Sequence, residues 1–200
     1  MTFPLRRLRS SSLAVMIALG VTSAAALYGS AAKADVINLN PCNGAALSTP
    51  FAPWADPSSY ELAPGGDFES TDWSLTGRAV VAAGSDPFAA TGTLGATSLS
   101  LPAGASARSP ATCVDAAYPT IRFFASGFGT MAVGVDYDGV YLPAGVAVVL
   151  GGWQPSPLML TTAALPAAIA GGTTDVSLVL TALTGNLRVD DVFIDPWNRG

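Results

Sequence analysis

Met131, Val133, Val135 and Tyr137 alternate with Ala132, Gly134, Asp136 and Asp138, and Val176, Leu178 and Leu180 alternate with Ser177, Val179 and Thr181. A period of two is the signature of a half-buried strand. Ser98-Leu99-Ser100-Leu101 repeats it in miniature, and residues 79–82, 120–125 and 145–150 are apolar runs of strand length. Between these segments stand Gly65-Gly66, Gly84-Ser85-Asp86-Pro87, Pro102-Ala103-Gly104, Gly127, Asp138-Gly139, Gly151-Gly152, Gly171-Gly172 and Gly185-Asn186. Turn residues at this spacing are what an antiparallel sandwich of short strands needs. Residues 161–170 are Ala-rich enough for a helix, but Pro166 in their middle would remove a backbone donor and clash with the preceding turn, so an edge strand or irregular loop is expected there. The pattern predicts an all-β fold, an antiparallel β-sandwich.

The first residues follow another logic. Arg6, Arg7 and Arg9 precede an uncharged Ala/Leu/Val-rich stretch that runs to Ala32-Lys33-Ala34. That is the layout of a secretory signal peptide with an A-x-A cleavage site, so residues 1–34 are expected to leave and the mature chain to begin at Asp35. An uncleaved anchor is the alternative, since the stretch is long enough to span a bilayer. The flanks of Arg6-Arg7 fit a twin-arginine signal poorly. The expected organisation is a signal peptide over 1–34, a Pro-rich lead-in over 35–64 and a β-sandwich domain over 65–200, in a secreted, extracellular protein.

Removing the leader sharpens the charge balance. No lysine remains, and five arginines face fourteen acids, a net charge of −9. Such a chain offers no basic footprint to phosphates, so nucleic acid is excluded as a partner. Attraction to an anionic membrane surface is disfavoured in the same way. Cys42 and Cys113 are the two cysteines, and in an exported chain an even count predicts one disulfide. It would close a loop of roughly seventy residues and stabilise the fold by roughly 4 kcal/mol.

The absence of histidine removes Ser-His-Asp and Cys-His nucleophile systems and His-based zinc or iron sites. A paired-carboxylate glycosidase needs only two acids, but Asp136 and Asp138 read as a solvated strand face. Gly127-Phe128-Gly129 lacks the spacing of a dinucleotide fingerprint, and there is no P-loop. The chain is therefore expected not to be an enzyme. If it binds a ligand, aromatic platforms are the expected means, because flat rings match the apolar faces of sugars. The candidates are Trp153, Tyr141, Tyr137 and Phe128. Phe68, Trp73, Phe123 and Phe193 are assigned to the core.

Two acidic motifs flank the domain. Gly65-Gly66-Asp67-Phe68-Glu69 is followed by Trp73-Ser74-Leu75-Thr76-Gly77 and Ala96-Thr97-Ser98-Leu99-Ser100-Leu101, and the chain closes with Leu187-Arg188-Val189-Asp190-Asp191-Val192. Together these resemble the jelly-roll sandwiches of non-catalytic carbohydrate-binding modules and the wider galactose-binding-like superfamily, over roughly residues 60–196. The resemblance implies that the opening and closing segments lie side by side. It also implies a structural Ca²⁺ held by Glu69 with Asp190 or Asp191, since carboxylates suit a hard cation. Strand alternation sends Asp190 and Asp191 to opposite faces unless a bulge intervenes. The plainer reading has Asp191 capping a turn or pairing with Arg188 or Arg78, and Asp190 solvated. With the leader, the resemblance points to a secreted module that binds extracellular or cell-envelope polysaccharide, and a monomer is expected. The alternative is a structural or protein-interaction protein at the cell surface with no small ligand.

Overall fold

The strand-forming alternation closes into an antiparallel β-sandwich, seen in a computed structural model that describes residues 46–70, 72–115, 120–160 and 173–195. These all belong to the unit Ile37–Gly200. The expected leader, Cys42 and the stretch 161–170 lie outside the described residues. In chain order the strands are β1 (Leu47–Ser48), β2 (Tyr60–Leu62), β3 (Ser74–Thr76), β4 (Val80–Ala83), β5 (Thr97–Pro102), β6 (Ser106–Arg108), β7 (Thr112–Asp115), β8 (Thr120–Tyr137), β9 (Val140–Pro155), β10 (Met159–Leu160) and β11 (Thr173–Asp195). The lead-in contributes β1, β2 and a 3₁₀ turn at Ala52–Trp54. Cys113 stands in β7, and no cysteine among the described residues is free.

The last strand organises the sheet. Along one edge β11 pairs antiparallel with β8 from Ser177 to Asp195. Along the other it meets β7, β6, β5 and β2 in succession. β8 then carries β9 and β10, β5 carries β4, and β6 carries β3. The expectation of uniformly short strands fails here: β8, β9 and β11 run for 18, 16 and 23 residues. Glycines that read as strand ends instead sit inside continuous ladders. A Cβ on Gly129 would lie 2.1 Å from the Thr184 carbonyl oxygen, and one on Gly185 would lie 1.8 Å from that of Phe128. Both residues have positive φ, beside a register shift between Ala182 and Thr184. Glycine lets the two backbones approach and kink without breaking the ladder.

Alternation then sorts the side chains. Met131, Val133, Val135, Leu178, Leu180, Leu187 and Val189 fill the main core with Phe68, Trp73, Leu99, Leu101 and Phe123. On the opposite face Phe51, Tyr60, Phe124 and Phe193 form a second cluster, bordered by Trp54, Leu62, Ala90 and Trp153. Adjacent residues such as Phe123 and Phe124 thus serve different layers, as a pleated strand dictates. Phe193 is buried as expected, but in the outer layer. Arg122 locks the lead-in onto this layer. Its Nη1 donates to Asp56 Oδ2 at 2.6 Å, its Nε and Nη2 donate to the Ser156 carbonyl, and its guanidinium lies 4.2 Å from the centre of the Phe51 ring.

Candidate functional site

The two acidic motifs meet. The backbone N–H of Val192 donates to the Gly66 carbonyl at 2.9 Å, and that of Ala63 donates to the Val192 carbonyl at 2.9 Å. A Cβ on Gly66 would fall 2.6 Å from the Val192 oxygen, so this close approach needs a glycine. Opposite, the β8 ladder shifts register between Asp190 and Phe193, and Asp191 adopts a left-handed φ of 46°. The bulge cancels the alternation that would have separated the two acids. Asp190 and Asp191 are both buried, and they share the space with Asp86. One carboxylate oxygen from each of the three lies within 4.8 Å of the others.

Asp190 is held by hydrogen bonds from the chain: Asp86 N–H donates to its Oδ2 at 2.9 Å and Asp191 N–H to its Oδ1 at 3.0 Å. Asp86 Oδ1 accepts the N–H of Phe88 at 2.7 Å, which fixes the 84–88 turn over the bulge. Burial pushes the Asp190 carboxyl up to about 6, against the lowering pull of bonds from Ser85 and Asp86. Burial first, then the charges of Asp190 and Asp86, push Asp191 up to about 8. Among the described residues no arginine forms an ion pair with this cluster. Arg188 spends its guanidinium on the carbonyls of Ala82, Ala83 and Gly84 and on Ser98 Oγ. The ion pairs among the described residues are Arg108–Asp136 and Arg122–Asp56.

Glu69 has a different task. It is exposed, and its Oε1 accepts the backbone N–H groups of Ala96 at 2.6 Å and Thr97 at 2.9 Å. Those amides of Thr97 and Ala96 hold its carboxyl below the usual range. Asp86 therefore stands with Asp190 and Asp191 where Glu69 was expected. Three carboxylate oxygens so close together suit a cation bound at about 2.3–2.6 Å from each, because oxygens around such a centre are separated by no more than about twice that length.

The four ring candidates do not gather in one place. Tyr137 and Tyr141 lie at the β8–β9 hairpin, where Asp136 pairs with Tyr141. Tyr141 is 45% exposed. Tyr137 packs on the main core. Phe128, 68% exposed, lies mid-strand opposite Leu150. Trp153, at the far end of β9, borders the outer aromatic cluster. Two rings that the sequence pattern does not single out border it too: Trp54 lies 5.3 Å from Phe124 and 4.8 Å from Phe88, and Phe88 lies 5.1 Å from Phe124. Asp136, read as a solvated acid, bonds Arg108 Nη2 at 2.8 Å and accepts the Gly139 N–H of the hairpin turn.

No family model matches the chain, and no curated protein matches it. Solved structures with a similar fold include a family 6 carbohydrate-binding module (TM-score 0.44, 11% identity, 65% of this chain and 90% of that one). Another is the C-terminal family 6 module of a laminarinase from Zobellia galactanivorans (TM-score 0.41, 12% identity, 67% and 96%). A third is a family 6 module from Clostridium stercorarium in complex with cellobiose (TM-score 0.40, 13% identity, 61% and 86%).

Proposed function

We propose that the protein is an exported, non-catalytic β-sandwich module that binds carbohydrate of the extracellular space or cell envelope. The observation that carries this reading is the group of part-exposed rings, Trp54, Phe88 and Trp153, bordering the Phe124-centred cluster on the outer face of the sheet. Rings braced from below by other rings stay rigid, and rigid apolar platforms beside polar groups are how sugar faces are bound. The Asp86, Asp190 and Asp191 cluster is the proposed seat of a structural Ca²⁺ that joins the turn at residues 84–88 to the β11 bulge. Export, the leader and a Cys42–Cys113 disulfide belong to the same reading, which the lack of a free cysteine among the described residues supports.

The test is a glycan array followed by calorimetry with the best polysaccharide, on wild type, Trp54→Ala and Trp153→Ala. Each truncation of a stacking ring should weaken binding at least about tenfold, because aromatic anchors dominate such contacts. Binding to no polysaccharide, or binding indifferent to both substitutions in folded protein, refutes the reading.

A further inference from the structure

One surface remains that neither the ring cluster nor the acidic cluster uses. Along β9, Val146, Val148 and Leu150 point outward while Ala147 and Val149 are buried beneath them. The ladder sets Leu150 against Phe128, Val148 against Thr130 and Val146 against Ala132. On the far side of β8, Phe128 meets Asn186 and Thr130 meets Thr184. The face is thus three strands wide, with an apolar stripe along its β9 side and small neutral groups along its β11 side. Among the described residues β9 pairs with β8 alone, so the stripe runs beside an open strand edge.

We propose that this outer face, centred on Phe128, Val146, Val148 and Leu150, is a self-association surface that packs against the same face of a second copy of the chain. The argument rests on area and charge. The four side chains are 54–71% exposed. They leave on the order of 400 Å² of contiguous apolar surface in water, a patch of the size that marks an interaction site. Two such faces with their neutral borders bring together on the order of 1,200 Å², enough for a stable pair.

Charge selects the partner. The described domain is strongly acidic, yet no Asp, Glu, Lys or Arg occurs between Arg122 and Asp136, between Asp138 and Asp175, or between Asp175 and Arg188. Two acidic copies repel each other through their charged surfaces, and on this face they can approach without setting like charges against each other. A twofold arrangement places the patch against itself, as a closed dimer requires. On this proposal the chain pairs where the sequence led to the expectation of a monomer, and the pairing stands independently of sugar binding.

Sedimentation velocity on the purified protein, from about 1 to about 200 µM, reads the association directly. A reversible dimer is expected. Val148→Glu and Leu150→Glu should each weaken it at least about tenfold by burying a charge at its centre. Val80→Glu, at an exposed position on β4, should leave it unchanged. Added salt should tighten the dimer, because it screens the repulsion between two acidic bodies. Hydrogen exchange on wild type needs no variant: protection of the amides of residues 146–150 should rise with protein concentration. A wild type that stays monomeric throughout, association indifferent to Val148→Glu and Leu150→Glu, association that salt weakens, or exchange at 146–150 unaffected by concentration overturns the proposal. So does a monomer that binds neutral phosphatidylcholine vesicles through Val148 and Leu150, which would assign the face to lipid.

Discussion

Replacing Asp191 by asparagine should stabilise the metal-free protein at neutral pH, against the usual outcome for a buried polar residue. Asparagine keeps the shape of the side chain and tolerates the left-handed backbone at this position. What it removes is the need to take up a proton on folding. The Asp191 carboxyl is held up at about 8, whereas an unfolded chain releases that proton near 3.8. Between those limits the folded state binds the extra proton, so stability is full below about pH 4 and falls as pH rises, by about 1.4 kcal/mol per pH unit for one linked group. From about pH 5 to about pH 7 the loss is about 3 kcal/mol. Asp190 adds to it only up to about pH 6, where its own raised carboxyl titrates. The assay is chemical denaturation in chelator across this range. Wild type should lose stability as pH rises, and Asp191→Asn should show a shallower slope and exceed wild type by up to about 3 kcal/mol near pH 7. Ca²⁺ at a thousandfold excess over its Kd should reverse the order, since an ion bound only by the folded state then adds about 4.1 kcal/mol, and the variant offers one carboxylate fewer. A wild type whose stability rises from pH 5 to pH 7 in chelator, or a variant less stable than wild type there, refutes the electrostatic reasoning; stability indifferent to Ca²⁺ removes the metal.

Two further outcomes are open to direct measurement. Arg122→Ala should cost about 3–5 kcal/mol by leaving Asp56 without its buried partner, and Asp56→Ala in the same chain should restore part of that loss in a double-mutant cycle; Asp56 is lowered because its bonds from Tyr60, Ser58 and Arg122 outweigh the opposing effect of burial, so wild type should also lose this contribution as pH falls below about 4. Alkylation of secreted protein under denaturing, non-reducing conditions should label no thiol, and reduction should expose two and lower stability by about 2–5 kcal/mol.

Side-chain alternation makes the core legible in the sequence itself: Met131, Val133, Val135, Leu178 and Leu180 are buried where period two puts them. The meeting of the acidic motifs is legible only through the resemblance those motifs carry, since no local period brings residues so far apart in the chain together. Asp86 is hidden because Gly-Ser-Asp-Pro is explained by its own turn, and nothing local shows that a residue 104 positions away supplies the acceptor for its N–H. Trp54 and Phe88 are hidden for a similar reason, since a Pro-rich lead-in and a loop carry no period to place them. Residues 145–150 mislead in another way. With Ala147 and Val149 apolar on one face and Val146, Val148 and Leu150 apolar on the other, the segment reads as a run buried on both sides, and only its position beside an open edge reveals that half of it is wet.

β11 is the last strand described, and it is the shared neighbour of β2, β5, β6, β7 and β8. A growing chain can close the β8–β9 hairpin and the β4–β5 pair early, because their partners are near in sequence, yet it cannot join these pieces until residues 173–195 have been made. The strand that joins the pieces is thus made after all of them. Non-local pairing of this kind folds slowly: the earlier strands wait as separate ribbons until residues 173–195 join them into one sheet.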